Sequence, residues 1–95
     1  KLAEAGVVTI ISPIDKNAKT LINNRVISYG LVSERHTRSL SKELEELLLQ
    51  FLTNVKDDML NDQRALENQI RQVIRKHIFR KLKKYPTIVP VVYLM

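Results

Sequence analysis

The sequence of 95 residues contains no cysteine and no tryptophan, and it has only two glycines and three prolines. Without cysteine the chain can form neither a disulfide framework nor a thiolate metal site, and we expect a reducing cytoplasmic location. With two glycines, a loop of backbone amides that cradles phosphate groups is hard to build. These absences argue against a secreted disulfide scaffold and against a nucleotide-binding loop.

Catalytic motifs are also missing. The two histidines, His36 and His77, lie far apart, and no H-x-H-x-D-H or H-E-x-x-H pattern occurs. His77 falls in an apolar helical stripe, which is typical of a packed histidine. The cluster of Glu43, Glu45 and Glu46 is typical of a solvated first helical turn. We therefore expect no metal site, no cofactor and no independent enzyme in this chain.

No apolar run approaches the roughly 20 residues that a membrane span requires, and the N-terminal residues lack the pattern of a signal peptide. We expect no membrane association. The sequence starts at Lys1 and not at methionine, which indicates a piece of a longer protein. Its length fits a single domain over residues 1–95, with a core so modest that leftover apolar surface invites a partner.

Hydrophobic residues make up 44% of the sequence, and their pattern predicts a β-hairpin at the start. Gly6 to Ile14 is a β-branched apolar run, which predicts a strand. Asp15 to Ala18 supplies turn residues. The return strand begins at Thr20, is interrupted at Asn23 and Asn24, and continues from Arg25 to Val32. We expect a bulge or bend near Asn23 or Gly30.

Two helices are predicted to follow a polar loop over Ser33 to Thr37. The first begins with Ser39 or Ser41 as its N-cap, and the second begins at Asn61 or Asp62 and runs to about Lys84. Both carry apolar residues at helical spacing. The stripes are Leu40, Leu44, Leu47, Leu48, Phe51, Leu52, Val55 and Met59 in the first helix, and Leu66, Ile70, Val73, Ile74 and Ile78 in the second.

A last strand is predicted from Thr87 to Met95, after Tyr85-Pro86 has ended the second helix. Pro90 lacks an N–H group and favours an edge or a bulged position for this strand. The element order is therefore β-β-α-α-β. We predict an α+β fold, in which a three-stranded sheet carries both helices on one face.

The end of the second helix has a second apolar side. Phe79 and Leu82 lie off the main stripe, and Tyr85 follows them closely. Either the last turns are irregular, or another element of the parent protein covers this side. We take Phe79, Leu82 and Tyr85 as the candidate oligomer interface.

The net charge of +6 is concentrated between Arg71 and Lys84, a segment with seven basic residues and no acidic one. Helical spacing places basic residues in two rows, one of Arg64, Arg71 and Arg75 and one of Lys76, Arg80 and Lys83. Both rows could face the phosphates of RNA. The same charges are also explained by the helix macrodipole and by simple solvation. Aromatic residues are sparse here, so any contact would be chiefly electrostatic. The candidate RNA-binding residues are Arg64, Arg71, Arg75, Lys76, Arg80, Lys83 and Lys84.

Four segments together resemble the end of ribonuclease J, a bacterial family of metallo-β-lactamase and β-CASP ribonucleases. They read KLAEAGVV from Lys1, ISYGLV from Ile27, IFRKLKKYP from Ile78 and IVPVV from Ile88. The family has similar segments that read LAEDGI, ISRGFV and R-P-x-I-(L/V)-P-V. This sequence departs from them at Tyr29, Leu31 and Tyr85, where the family has arginine, phenylalanine and arginine, so roles of those residues do not carry over.

The resemblance implies a parent that cleaves RNA endonucleolytically and degrades it from the 5′ end. It implies zinc held by histidines and aspartates of an N-terminal lactamase domain, none of which lies in this chain. It further implies a C-terminal accessory domain that helps to build a dimer or tetramer. RNA is an expected partner, and docking of another protein such as an RNA helicase is an alternative use of the same surfaces.

Overall fold

The computed structural model describes residues 6–30 and 34–95, with the backbone alone at Glu34 and Arg35. It has the predicted α+β fold and the predicted order of elements. The strands are β1 (Val7–Asp15), β2 (Thr20–Leu21), β3 (Arg25–Tyr29) and β4 (Thr87–Leu94), and the helices are α1 (Glu34–Asn54) and α2 (Gln63–Leu82), with a short 3₁₀ helix at Asp57–Asn61 between them.

The return strand of the hairpin is bent, so that it forms two strands where the sequence analysis counted one. Both β2 and β3 pair antiparallel with β1. Between them Asn23 adopts a left-handed conformation with φ of 51°, which confirms the predicted bend. Gly30, with φ of 73°, follows β3. The predicted continuation of the strand to Val32 lies outside the described residues.

The hairpin turn is fixed from two sides. The Asp15 carboxylate accepts hydrogen bonds from the backbone N–H groups of Asn17 and Ala18, at 3.0 and 3.1 Å. Lys19 donates to the carbonyl of Val55 at 3.3 Å and pairs with Asp57 at 3.1 Å. The turn is therefore tied to the connection between the two helices.

Strand β4 lies beside β1 and runs parallel to it, with Val8 opposite Ile88 and Ile14 opposite Leu94. Because a parallel pair needs a long crossover, the two helices form the connection between β3 and β4. In the described part of the chain β4 pairs with β1 alone. The edge position predicted from Pro90 is confirmed.

The free edge of β4 offers few backbone N–H donors to another strand. The N–H groups of Thr87 and Met95 donate to the carbonyls of Gly6 and Ile14, on the side of β1. Residues of a strand alternate in direction, so Ile88, Pro90, Val92 and Leu94 point their backbone groups at the free edge. Among those residues Pro90 has no N–H group, and the N–H of Val92 donates to the Glu67 carboxylate at 3.1 Å. Both devices block the addition of a further strand.

Helix α1 begins earlier than predicted. It starts at Glu34, so the loop predicted up to Thr37 and the N-cap predicted at Ser39 or Ser41 are wrong. His36, Arg38 and Ser39, in the first turns, are exposed, and an apolar pattern cannot mark such residues as helical. The helix ends at Asn54, and Met59 belongs to the 3₁₀ helix.

The ends of α2 have identifiable causes. The Asp62 side chain accepts a hydrogen bond from the N–H of Ala65 at 3.1 Å, which confirms one of the two predicted N-caps. At the other end Lys83 adopts a left-handed conformation with φ of 57°, and its N–H donates to the carbonyl of Phe79 at 2.8 Å. The helix therefore ends at Leu82, close to the predicted position.

The core lies between the helices and one face of the sheet. Alternate residues of β1 and β4 point into it, among them Ile10, Ile14 and Ile88, and they meet the predicted stripes of both helices. Ser12 is the polar member of this inward row, and its hydroxyl has no hydrogen-bond partner among the described residues. Both helices thus cover the same face, as predicted.

Candidate nucleic-acid and assembly surfaces

The opposite face of the sheet is not covered by either helix. Register pairing aligns its side chains in rows, such as Ile27, Thr9 and Val89 across the three neighbouring strands. We call this surface the outer face. Its members are Val7, Thr9, Ile11, Pro13, Arg25, Ile27, Tyr29, Thr87, Val89, Val91 and Tyr93.

The outer face is apolar and nearly uncharged. Ile27 is 37% exposed, Val89 is 39% exposed and Tyr29 is 73% exposed. Arg25 is the one charged side chain among these members, and Asp15, at the end of β1, continues the same alternation at the margin of the face, with its carboxylate bonded to the hairpin turn. The sequence analysis did not identify this surface. Its signal was present, however, because β1 and β4 carry apolar residues at successive positions where a sheet with a polar outer face would alternate.

The predicted basic rows lie along the solvent side of α2. Arg64, Arg75, Lys76 and Arg80 are exposed and form no ion pair with any described residue. Arg71 is half-buried, and its guanidinium donates to the Asn68 side chain at 2.8 Å. The structure therefore brings the candidate RNA-binding residues of α2 to one side of the domain. Lys83 and Lys84, also exposed, follow directly.

The acidic residues near α2 are engaged elsewhere. Glu67, the acid within the helix, faces β4 and accepts the hydrogen bond from Val92. Glu43 of α1 accepts hydrogen bonds from Lys81 and, at 3.1 Å, from His77. Lys81 is thereby paired, whereas the cations on the solvent side are not neutralised by these two carboxylates.

Glu43, His77 and Lys81 link the two helices. The hydrogen bonds from Lys81 and His77 hold the pKa of the Glu43 carboxyl below its usual value. One interpretation from the sequence is corrected here. Glu43 lies within α1, where it bridges to α2, and is not in a solvated first turn. His77 is half-buried and hydrogen-bonded to that carboxylate, which agrees with the packed histidine expected from the sequence.

An aromatic pair forms at the C-terminal end of α2, between Phe79 in the helix and Tyr85 just after it. The rings of Phe79 and Tyr85 are stacked, with centroids 4.4 Å apart and planes 14° apart. The ammonium of Lys83 lies 5.5 Å from the centroid of Phe79. Tyr85 remains 52% exposed, whereas Leu82 packs against the hydrophobic core. An oligomer interface at Phe79, Leu82 and Tyr85 stays a prediction.

The described residues offer no arrangement suited to metal binding, because no three of their histidine, aspartate or glutamate side chains are grouped to hold an ion. No helix in the described ranges is long and apolar enough to cross a membrane. A shallow groove is lined by the apolar side chains of Leu47, Phe51, Val55 and Val73 and by the amides of Gln50 and Asn54, and it contains no titratable group. The notable surfaces are therefore the outer face and the basic side of α2.

Comparison with known proteins decides the family. The model of the ribonuclease J C-terminal domain matches residues 1–95. The chain belongs to this family. Ribonuclease J from Helicobacter pylori (strain B128) is 33% identical over 90 residues, which cover 94% of this chain and 13% of that protein. Ribonuclease J2 from Bacillus subtilis (strain 168) is 23% identical over 92 residues, or 96% of this chain and 17% of that protein.

The resemblance noted in the sequence is thus confirmed over the whole chain. The chain spans less than one fifth of the length of these ribonuclease J relatives. The structure also explains how the family-like segments come together. Residues 27–29 of the second segment lie in β3 and the segment that begins at Ile88 lies in β4; both strands flank β1, and the segment that begins at Ile78 includes the end of α2.

Proposed function

We propose that this chain is the non-catalytic C-terminal accessory domain of a larger ribonuclease J, and that its outer face joins copies of the parent into a dimer or tetramer. The assembly supports an endonuclease and 5′–3′ exonuclease that acts in cytoplasmic RNA processing and decay. The observation that carries the proposal is the uncovered apolar outer face, together with the family match.

The charge distribution supports a second copy of the parent as the occupant of this face. The chain carries a net charge of +6, so two copies repel each other if they meet through α2. The outer face bears Arg25 as its charged member and lies on the opposite side of the sheet from the helices. It is the surface through which two like-charged copies approach at the least electrostatic cost, by a symmetric contact of the same patch.

The nuclease chemistry is proposed for the remainder of the parent. The zinc that the family resemblance implies would be held there, since the described residues present no group of metal ligands. No step of RNA cleavage is assigned to this chain. Its contribution is to fix the arrangement of catalytic domains in the assembly.

The test is the mass of the full-length protein in solution. Ile27→Asp together with Val89→Asp places carboxylates on two strands of the outer face. The expected result is dissociation to a smaller species in light scattering, with reduced nuclease activity. Leu49→Asp is the control. The exposed fraction of Leu49, 36%, is nearly the same as that of Ile27, but Leu49 lies on α1 and not on the outer face. An unchanged mass in the double variant would refute the proposal.

A second function, electrostatic contact with RNA, is favoured by the unpaired cations of α2. Arg64, Arg75, Lys76 and Arg80 are exposed on α2 and form no ion pair within the part of the chain that the structure describes. Phosphates neutralised by such a surface release counterions, so affinity falls steeply with salt. Binding of single-stranded RNA at low salt that persists unchanged at moderate salt would contradict this mode of contact. Docking of an RNA helicase on the same side stays a prediction.

A further inference from the structure

The aromatic pair at the end of α2 is held in place by the local backbone. Lys83 reverses the chain through its left-handed conformation, and its N–H closes the last turn onto the Phe79 carbonyl at 2.8 Å. Pro86 is buried and restricts the residue before it to an extended conformation. Tyr85 is thereby folded back over Phe79, so that its ring is positioned before any ligand arrives.

One face of the Tyr85 ring contacts Phe79, while more than half of the residue remains exposed. With one face occupied by Phe79, the opposite face of the ring is the surface on which a second ring would stack. An aromatic side chain supported by a second ring loses little conformational freedom when a flat ligand stacks on it. The geometry suits a planar, unpaired partner.

Cations surround this pair. Arg75 and Lys76 precede Phe79 by one helical turn and therefore share its side of α2. Arg80 and Lys83 are exposed next to it, and Lys83 contacts the Phe79 ring. A planar ring next to closely spaced positive charges matches the chemistry of a nucleotide, which joins a flat base to a phosphate.

We infer that Phe79 and Tyr85 form a stacking platform for one unpaired base of single-stranded RNA, whose neighbouring phosphates lie along Arg75, Lys76 and Arg80. The inference rests on the electrostatic RNA contact proposed above, and it adds a fixed position and a preference for unpaired nucleotides. Base stacking on aromatic side chains tolerates any base, so the platform selects single strands and not a particular sequence.

The same charges argue against a second copy of this chain as the partner of the aromatic pair. A symmetric contact here would bring at least four cations of each copy against one another. The nearby carboxylates of Glu43 and Glu67 are already engaged and cannot offset that repulsion. A polyanion gains from the same arrangement.

The experiment uses the full-length protein and a U-rich RNA of roughly ten nucleotides that carries one photoreactive 5-iodouridine. After irradiation at low salt, mass spectrometry locates the adduct. We expect it on Tyr85. An unlabelled single strand should compete at least about fivefold better than an abasic strand with the same number of phosphates. Tyr85→Phe should keep the adduct, and Tyr85→Leu should weaken single-strand binding without altering duplex binding.

The outcomes separate the two proposals. If adducts form on the α2 cations but never on Tyr85, or if the abasic strand competes equally well, the platform is wrong and the electrostatic contact stands. If Tyr85 gives no adduct and Arg75→Gln with Arg80→Gln leaves the affinity for single-stranded RNA at low salt unchanged, both are wrong. If Tyr85→Leu preserves RNA affinity but lowers the mass of the assembly, the aromatic pair belongs to an oligomer interface instead.

Discussion

The two sides of this domain differ in kind. The outer face is an apolar sheet surface with one charged member, whereas Arg64, Arg75, Lys76 and Arg80 on the solvent side of α2 form no ion pair with a described residue. The first surface is suited to exclusion of water against a matching surface. The second is suited to a polyanion. The assembly and the RNA contact proposed above would thus use opposite sides of one core.

The comparison is tested most strongly within β4, where adjacent residues face opposite ways. Ile88 is buried against the helices and Val89 lies on the outer face. Ile88→Ala is expected to lower the free energy of unfolding by about 2–5 kcal/mol. Val89→Ala should lower it by less than about 1 kcal/mol in the separate chain. Urea denaturation of both variants checks this, and equal losses would show that the outer face is not open.

The basic side is tested by removal of two charges. Arg75→Gln with Arg80→Gln should reduce the slope of log affinity against log salt by about 1.4 for single-stranded RNA, because two phosphate contacts are lost. The control is Lys42→Gln with Lys56→Gln, which removes the same charge from exposed positions outside α2. Equal effects of the two pairs would show that net charge, and not the α2 surface, governs binding.

The buried face of the sheet contains an unsatisfied polar group that a substitution can remove. The Ser12 hydroxyl is buried without a partner among the described residues. Ser12→Ala should therefore raise the free energy of unfolding, by up to about 1 kcal/mol, since the cost of an unsatisfied polar group disappears. Thermal unfolding measures the change. A loss of stability would reveal a hydrogen bond at this hydroxyl.

The smallest expected effect concerns the Glu43 carboxylate, which pairs with Lys81 and His77 between the two helices. Because the pKa of Glu43 is lowered in the folded chain, its contribution to stability is present above the pKa of unfolded glutamate and is lost as pH falls through the folded value. Glu43→Gln should thus be less stable than the unsubstituted chain at neutral pH, with a smaller difference well below about pH 4.3. A difference that does not shrink in acid would contradict this assignment.

Patterns that repeat along the chain were sufficient to predict much of the fold. The apolar stripes of both helices, the bend near Asn23 and the edge position caused by Pro90 follow from local residue chemistry. The start of α1 was missed, because exposed polar residues give no periodic signal and Ser39 and Ser41 resemble caps wherever they occur.

The candidate surfaces were only partly accessible from sequence. The basic rows of α2 were predicted, since one helix places its residues by periodicity alone. The outer face requires three strands that are distant in sequence to align in register, and the contact of Tyr85 with Phe79 requires a chain reversal at Lys83. A left-handed lysine has no marker in the sequence comparable to glycine.

The edge of β4 has a consequence for the assembly proposed above. Repeated sheets held near one another are prone to join edge to edge and to grow into fibrils. Pro90 withholds one donor along that margin, and the Glu67 carboxylate occupies another. In the proposed assembly, these two features would disfavour edge-to-edge pairing and leave the outer face as the surface of contact.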